Sequence, residues 1–143
     1  MIIQGGHIIS LIKRLGDRIF EQILTEKKID AFNGAQGRIL YVLWQQEYIS
    51  FKELSDKTGL APTTLTSMID RMEASGLVSR DPDKSDRRRI LLTLTEKARG
   101  LKQDYMEISA DMTDIFYAGF TEEEILQCEM LLRRIHENLK QYV

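Results

Sequence analysis

Apolar side chains recur every three or four positions in the first part of the chain. One such stripe covers residues 7–28, and this spacing places its apolar side chains on one side of an amphipathic helix. A second stripe begins after Asn33, whose side chain can cap a helix, and runs to Trp44 before three polar residues. The pattern therefore predicts two helices before residue 48.

A short helix, a glycine and another helix are predicted next. Ser50 and Glu53 match the S-x-x-E capping box, in which each side chain satisfies a backbone N–H of the first helical turn. Gly59 suits the left-handed turn that ends a helix, and Pro62 suits the first position of the following one. That helix has apolar residues on one side and stops at Gly76. The order is helix, tight turn, helix.

Beyond Gly76 the pattern changes to two short segments rich in Val, Ile, Leu and Thr. They cover residues 77–80 and 89–95, and the Pro, Asp and Ser residues between them are typical of turns. These features predict a β-hairpin.

Two more helices complete the predicted fold. Thr95 can cap a long helix, and Thr121 with Glu124 forms a second capping box that opens the last helix. The predicted fold is mainly α with a small β-hairpin (α+β), in the order ααααββαα.

Composition limits the class of protein. A chain of 143 residues, 43% hydrophobic and 29% charged, suits one globular domain. The single cysteine excludes an intrachain disulfide and disfavours a structural zinc site. No stretch has the roughly 18 consecutive apolar residues that cross a bilayer, and the first residues lack the pattern of a signal peptide. We expect a cytoplasmic protein with no membrane partner, metal or cofactor.

The charge is unevenly distributed along the chain. The net charge is −2, but residues 1–49 and 50–95 each carry +1 and residues 96–143 carry −4. Within the predicted hairpin, "RDPDKSDRRR", residues 80–89, holds five basic and three acidic side chains. Because binding to a polyanion depends on local charge, an acidic chain of this kind can still present a basic surface to DNA.

A helix–turn–helix followed by a two-stranded hairpin, or wing, is a winged helix-turn-helix. Its second helix fits the major groove of DNA. Hydroxyl groups near the helix start can reach phosphates and base edges, and the free N–H groups of the first turn favour a phosphate. The alternative interpretation is an ordinary solvated helix face. The candidate DNA-binding residues on this helix are Pro62, Thr63, Thr64, Thr66, Ser67 and Arg71.

The wing supplies the other candidates. Three consecutive arginines in a strand would alternate in direction, and an outward arginine can enter a narrow minor groove. A charged hairpin also resists edge-to-edge pairing, which is the alternative interpretation. The position of the hairpin directly after the helix–turn–helix favours DNA binding. The candidates here are Lys84, Asp86, Arg87, Arg88 and Arg89.

Residues 59–98 resemble the core of the MarR family of bacterial transcription regulators. The resemblance rests on the combined patterns D-R-[ML]-E, x-x-G-L-V-x-R, D-x-x-D-R-R and L-T-x-x-A/G. It implies that the D-x-R wing motif falls on Asp86 and Arg88, with Arg88 in the minor groove and Asp86 holding the wing's arginines by an ion pair. Ala61 departs from the family, which often has a capping serine there.

The resemblance also implies how the chain is organised. Residues 1–143 would form a single MarR-like domain, with a DNA-binding part at 31–95 and long dimerisation helices at 1–30 and 96–143. An effector pocket would lie between these helices and the winged part. The implied partners are double-stranded DNA, a second copy of the chain in a homodimer, and a small aromatic effector.

The predicted function is a sequence-specific DNA-binding transcription regulator. It would be a ligand-responsive repressor that binds a pseudo-palindromic operator as a homodimer, and it would not be an enzyme, since no phosphate loop, metal pair or nucleophile elbow occurs. Two alternatives stay open: a winged-helix protein–protein interaction module without sequence-specific DNA binding, and an enzyme that uses Cys128. The position of Cys128 on the apolar stripe of the last helix favours a buried structural cysteine.

Overall fold

The computed structural model describes all 143 residues, which form two compact units, residues 1–109 and residues 110–143. The elements are α1 (Gly5–Glu26), α2 (Gly34–Gln45), β1 (Ile49–Ser50), α3 (Phe51–Thr58), α4 (Pro62–Ala74), β2 (Val78–Pro82), β3 (Ile90–Leu94), α5 (Glu96–Arg99), α6 (Lys102–Phe116) and α7 (Glu122–Lys140). The predicted fold class is confirmed, with two added features: strand β1 and a break between α5 and α6. None of the seven helices is at once long and apolar enough to span a bilayer.

The first unit has a core built from its helices and strands. The largest fully buried side chains are Ile39, Leu40, Leu43, Ile49, Leu54, Leu65, Ile69, Met72, Leu77, Leu92 and Ile108. Four of them come from α3 and α4, the two helices of the predicted helix–turn–helix. Because these helices turn their apolar sides into the core, their polar sides are left at the surface.

The residues predicted to cap helices do so. The side chains of Asn33, Ser50, Thr95 and Thr121 each accept a hydrogen bond from a first-turn N–H, at the starts of α2, α3, α5 and α7. At α3, however, the predicted capping box is only half formed. The Glu53 carboxylate pairs with Arg89 rather than with the Ser50 backbone N–H. Glu53 thereby connects the start of α3 to the wing.

The sheet is three-stranded and antiparallel, in the order β1-β3-β2. Between β2 and β3 the pairing runs from Val78 opposite Leu94 to Pro82 opposite Ile90. β1 adds two residues along the other edge of β3. The sequence missed β1 because two residues are too few to show the alternation that marks a strand.

The long helix predicted to follow Thr95 is broken at Gly100. In a continuous helix the Ala98 carbonyl would accept the Lys102 N–H. Here it accepts from the Leu101 N–H at 3.1 Å and from the Trp44 indole N–H at 3.0 Å. Gly100 keeps a right-handed backbone, with φ −68° and ψ −15°, and glycine has a low helix propensity. The prediction of one unbroken helix was wrong because an indole from α2 competes for this carbonyl.

Glu47 holds the inner end of the wing to α5. Its carboxylate accepts hydrogen bonds from the Thr93 hydroxyl at 2.5 Å, the Leu94 N–H at 3.1 Å and the Arg99 guanidinium at 2.8 Å. The Arg99 hydrogen bond, with those from β3, lowers the pKa of Glu47 to about 2. No sequence pattern marked Glu47, because its partners lie 46 to 52 residues later in the chain.

We expect Glu47→Gln to lower the free energy of unfolding by about 1–2 kcal/mol near neutral pH, because the amide loses the charge that Arg99 binds. The folded-state pKa of about 2 lies below the ordinary value of 4.5. The carboxylate therefore stabilises the fold fully above about pH 5, and this contribution is lost as the pH falls towards about 2. Urea unfolding should show the gap between parent and variant closing over this range.

The matched control for this prediction is Glu96→Gln. Glu96 also pairs with Arg99, at 2.6 Å, but its side chain is 92% exposed. Its replacement should change stability much less than that of Glu47 does. A gap between parent and Glu47→Gln that does not vary with pH would contradict the role assigned to the carboxylate.

The second unit contains the end of α6 and the whole of α7. The Tyr117 hydroxyl donates to Glu129 at 2.6 Å, which raises the pKa of Tyr117, and its ring packs edge-on against Phe116 and Phe120. Cys128 is half-buried beside this phenol. The prediction that Cys128 is buried was therefore wrong. The physical reason is that the apolar side of α7 is largely uncovered, and no residue of α7 is buried.

Candidate nucleic-acid interface

α3, a three-residue turn and α4 form a helix–turn–helix. Gly59 ends α3 with a φ of 72°, a left-handed conformation that glycine adopts without strain, and Pro62 begins α4. The Ser55 hydroxyl donates to the Leu60 carbonyl at 2.6 Å, which holds the turn. The predicted order of helix, tight turn and helix is confirmed at the predicted residues.

α4 has a buried and an exposed side. Leu65, Ile69 and Met72 are fully buried. The sequence-predicted candidates are all exposed: Pro62, Thr63, Thr64, Thr66, Ser67 and Arg71. Along this exposed side the Arg71 guanidinium donates to the Ser67 hydroxyl at 3.1 Å. Arg71 therefore lies along its own helix and does not pair with an acid.

No side chain caps the start of α4. Ala61 has the extended backbone of an N-cap residue but offers no acceptor to the N–H groups of the first turn.

We expect Ala61→Ser to raise the free energy of unfolding by about 0.5–2 kcal/mol, because a serine hydroxyl accepts one of the first-turn N–H groups of α4. Urea unfolding measures the change. Ser50→Ala, which removes the cap of α3, should give a loss of similar size; an Ala61→Ser variant no more stable than the parent would contradict the prediction.

The tip of the wing is a closed loop. The Asp83 N–H donates to the Arg89 carbonyl at 2.8 Å, and the Arg89 N–H donates to the Asp86 carbonyl at 3.0 Å. Residues 87 and 88 lie in a turn, and β3 starts only at Ile90. The strand predicted from residue 89 begins one residue later, so none of the three arginines lies in a strand and they do not alternate along one.

Two aspartate side chains explain the loop. Asp83 Oδ1 accepts from the Ser85 N–H at 2.9 Å and from the Ser85 hydroxyl at 2.8 Å, and Asp86 Oδ1 accepts from the Arg88 N–H at 3.1 Å. Hydrogen bonds of this kind hold the backbone in turns and compete with strand pairing. The Ser85 N–H also lowers the pKa of Asp83. The aspartates therefore determine where the strands end.

The basic side chains of the tip differ in their surroundings. Arg88 is 94% exposed, and its Nε lies 3.5 Å from Asp86, the residue that also holds its N–H. Lys84 and Arg87 are exposed and form no ion pair, whereas Arg89 is paired with a glutamate of α3 at 3.1 Å. The loop thus presents Lys84, Arg87 and Arg88 to solvent.

Comparisons with known proteins agree with this geometry. The MarR family model matches residues 32–90. The uncharacterized HTH-type transcriptional regulator YsmB of Bacillus subtilis is 30% identical over 94% of this chain and 87% of its own length. The HTH-type transcriptional regulator TtmR of Methylorubrum extorquens is 45% identical, but the match spans 47% of this chain and only 34% of TtmR. A crystal structure of mutant MarR from Escherichia coli with operator DNA has a TM-score of 0.83 and 25% identity, over 93% of this chain and 94% of that one.

The chain belongs to the MarR family. In the winged helix-turn-helix of this MarR-family member, the motif residues Asp86 and Arg88 lie in one hydrogen-bonded turn. The Asp86 carboxylate contacts only Arg88 among the three consecutive arginines, while the Asp86 backbone carbonyl accepts the Arg89 N–H. The implied ion pair is therefore present for Arg88, while the guanidinium groups of Arg87 and Arg89 form no ion pair with Asp86.

Arg80, the first residue of the basic stretch, does not belong to the exposed tip of this MarR-family wing. It lies in β2, where its guanidinium pairs with Asp70 and Glu73 of α4 and lies 5.4 Å from the centre of the Phe51 ring. Only 27% of the Arg80 side chain is exposed. The sequence did not reveal this role. Arg80 and its partners lie in different elements, separated by the end of α4 and a turn, so the spacing of a single helix or strand does not predict their contact.

Proposed function

We propose that this MarR-family chain is a sequence-specific DNA-binding transcription regulator in which α4 enters the major groove and the wing tip reaches the minor groove. The observation that carries the proposal is that one winged helix-turn-helix exposes both the polar side of α4 and the Arg88 side chain. A helix suits the wide major groove, and an arginine suits the negative potential of a narrow minor groove. Nothing in the relatives supports the alternative of a protein–protein interaction module.

The candidate residues divide by position. At the start of α4, Pro62, Thr63 and Thr64 lie near N–H groups that no side chain caps, which supports a phosphate contact there. Further along α4, the proposed contacts to phosphates and base edges are Thr66, Ser67 and Arg71. At the wing, Lys84, Arg87 and Arg88 are the proposed contacts, and Asp86 positions Arg88.

We further propose that the regulator is a homodimer with a single MarR-like domain over residues 1–143 and a DNA-binding part at 31–95. α1 and α7 each expose apolar side chains, such as Ile8 and Leu15 on α1, which a second copy of the chain would cover. A two-fold dimer would select a pseudo-palindrome with half-sites about 10 bp apart. Binding there would repress transcription.

A small aromatic molecule is the proposed effector. In the first unit, the rings of Phe20, Phe32, Tyr41 and Trp44 pack around Tyr105 at centroid distances of 5.3 to 6.1 Å, and an aromatic ligand beside this cluster would have rings to stack on. Such a ligand would release DNA only by binding better to a conformation with mis-spaced recognition helices. Binding of DNA and of an effector accounts for this function without a catalytic step, so we propose that the regulator is not an enzyme. We also propose that it acts in the cytoplasm.

Footprinting tests the proposed function. The probe is the DNA upstream of the coding sequence of this chain, and we expect a protected pseudo-palindrome whose occupancy falls with salt. A panel of small phenolic and other aromatic compounds should contain one that removes the protection. Protection that shows no sequence preference would contradict the proposal and favour the protein–protein alternative.

A further inference from the structure

Ion pairs hold the wing to the helix–turn–helix at both of its strands. In β2, Arg80 pairs with Asp70 and Glu73 of α4. Just before β3, Arg89 pairs with Glu53 of α3 at 3.1 Å. Arg80 and Arg89 are therefore paired with acids of the helix–turn–helix, whereas Lys84 and Arg87 form no ion pair and Arg88 is paired only within the wing tip.

The Arg80 contacts suit arginine rather than lysine. Asp70 and Glu73 are three residues apart, so their carboxylates lie on neighbouring positions of α4. The Arg80 guanidinium donates to Asp70, its Nε lies 3.5 Å from Glu73 without forming a hydrogen bond, and its face lies over the Phe51 ring. An ammonium group is a point charge and cannot make this set of contacts together. The side chain of Arg80 thus fixes β2 relative to α4.

The two acids are unexpected on a helix that approaches a polyanion. The side chain of Asp70 is 61% exposed and that of Glu73 is 45% exposed. Carboxylates there oppose the phosphates of DNA unless a cation offsets them. The positive charge of Arg80 offsets their negative charges in the structure. Asp70 and Glu73 can therefore hold the wing while repelling DNA phosphates less than unpaired carboxylates would.

We propose that Arg80 is a positioning residue which, through Asp70 and Glu73, sets the distance between α4 in the major groove and Arg88 in the minor groove. Arg89 does the same through Glu53 and does not contact DNA. The inference rests on the proposed function. It assigns the five basic residues two tasks: Arg80 and Arg89 hold the wing, and Lys84, Arg87 and Arg88 contact DNA.

For Asp70→Asn, the proposal predicts a change in DNA affinity opposite to the one expected from charge alone. Asp70→Asn removes a negative charge near the DNA, and charge alone would then strengthen binding. If Asp70 instead holds Arg80 and the wing, the same change weakens binding to the operator. The matched control is Asp56→Asn on α3, since Asp56 is exposed and forms no ion pair.

The experiment measures the affinity for two DNA duplexes of equal length at the same salt concentration. One duplex is the footprinted operator and the other has a scrambled sequence. Asp70→Asn should bind the operator about twofold to fivefold more weakly than the parent while binding the scrambled duplex equally well or more tightly. Asp56→Asn should bind both equally well or more tightly. The charge-exchanged variant Asp70→Arg/Arg80→Asp should recover part of the operator preference. Operator binding by Asp70→Asn that equals or exceeds that of the parent would overturn the proposal.

A measurement without DNA separates this proposal from the proposed function. Trypsin cleaves after Lys84, Arg87 and Arg88 at the wing tip, and a wing that is no longer held should be cleaved faster. We expect faster cleavage in Asp70→Asn and in Arg80→Lys, but not in Asp56→Asn, with the thermal midpoint measured for each. Unchanged cleavage in Asp70→Asn overturns the role of Arg80. A parent that does not distinguish the two duplexes overturns the proposed function instead.

Discussion

Arg88→Ala should lower the affinity for the operator by about tenfold to a hundredfold and leave the stability of the fold unchanged. The side chain is 94% exposed, so its removal uncovers no core and creates no cavity. Its backbone N–H stays bound to Asp86, which keeps the loop in place. Fluorescence anisotropy with the footprinted duplex measures the affinity, and urea unfolding measures the stability.

The salt dependence of binding adds a second readout for Arg88. Each lost contact with a phosphate lowers the slope of log affinity against log salt concentration by about 0.9. Arg133→Ala is the control, because it removes the same side chain from an exposed position on α7. If Arg133→Ala weakens binding as much as Arg88→Ala, general charge explains the effect and the proposed contact is wrong.

The basic stretch shows why counting charges is a poor guide to a DNA-binding surface. Five basic side chains lie within residues 80–89, but the structure pairs Arg80 and Arg89 with acids of α4 and α3. The other three, Lys84, Arg87 and Arg88, lie exposed in the loop shaped by Asp83 and Asp86. The acids of the stretch and of the neighbouring helices thus determine which cations face solvent.

The helices and their starts could be predicted from the sequence because these features are local. A capping residue acts on N–H groups two or three residues away, as at Thr121, and an amphipathic stripe such as that of α4 needs only its own side chains. The same locality explains why all six candidates on α4 are exposed, as predicted.

The features that the sequence missed depend on contacts between distant residues. The helix break at Gly100 needs the Trp44 indole, 54 residues before the carbonyl to which it donates. The role of the Glu47 carboxylate depends on the hydrogen bonds that it accepts from Thr93 and Arg99. The ends of the wing's strands are local in origin, but the two aspartate turns look like ordinary hairpin residues in a sequence. The predicted strands, 77–80 and 89–95, therefore differ at their ends from Val78–Pro82 and Ile90–Leu94.

In the proposed homodimer, Ile135→Asp should separate the two chains and leave a monomer. The side chain of Ile135 is 43% exposed on α7, beside other exposed apolar residues of that helix, including Leu131, Leu132 and Leu139. A monomeric soluble protein rarely leaves such a patch uncovered, and a carboxylate buried there in a dimer would be unpaired. Sedimentation at micromolar concentration should therefore give half the mass of the parent protein, with an unchanged helical content because Ile135 is not buried within the chain.

The loss of the dimer should carry over to DNA. A dimer binds two half-sites at once, because binding of one half-site brings the second recognition helix close to the other. A monomer lacks this advantage, so its affinity for the full operator should be lower by a factor on the order of 10² to 10⁴. Binding of the monomer to one half-site should change little, because α4 and the wing are untouched. Glu137→Gln, an exposed neighbour on α7, should remain a dimer with the affinity of the parent. If Ile135→Asp still has the mass of the parent and binds the full operator as tightly, the dimerisation role of α7 is excluded.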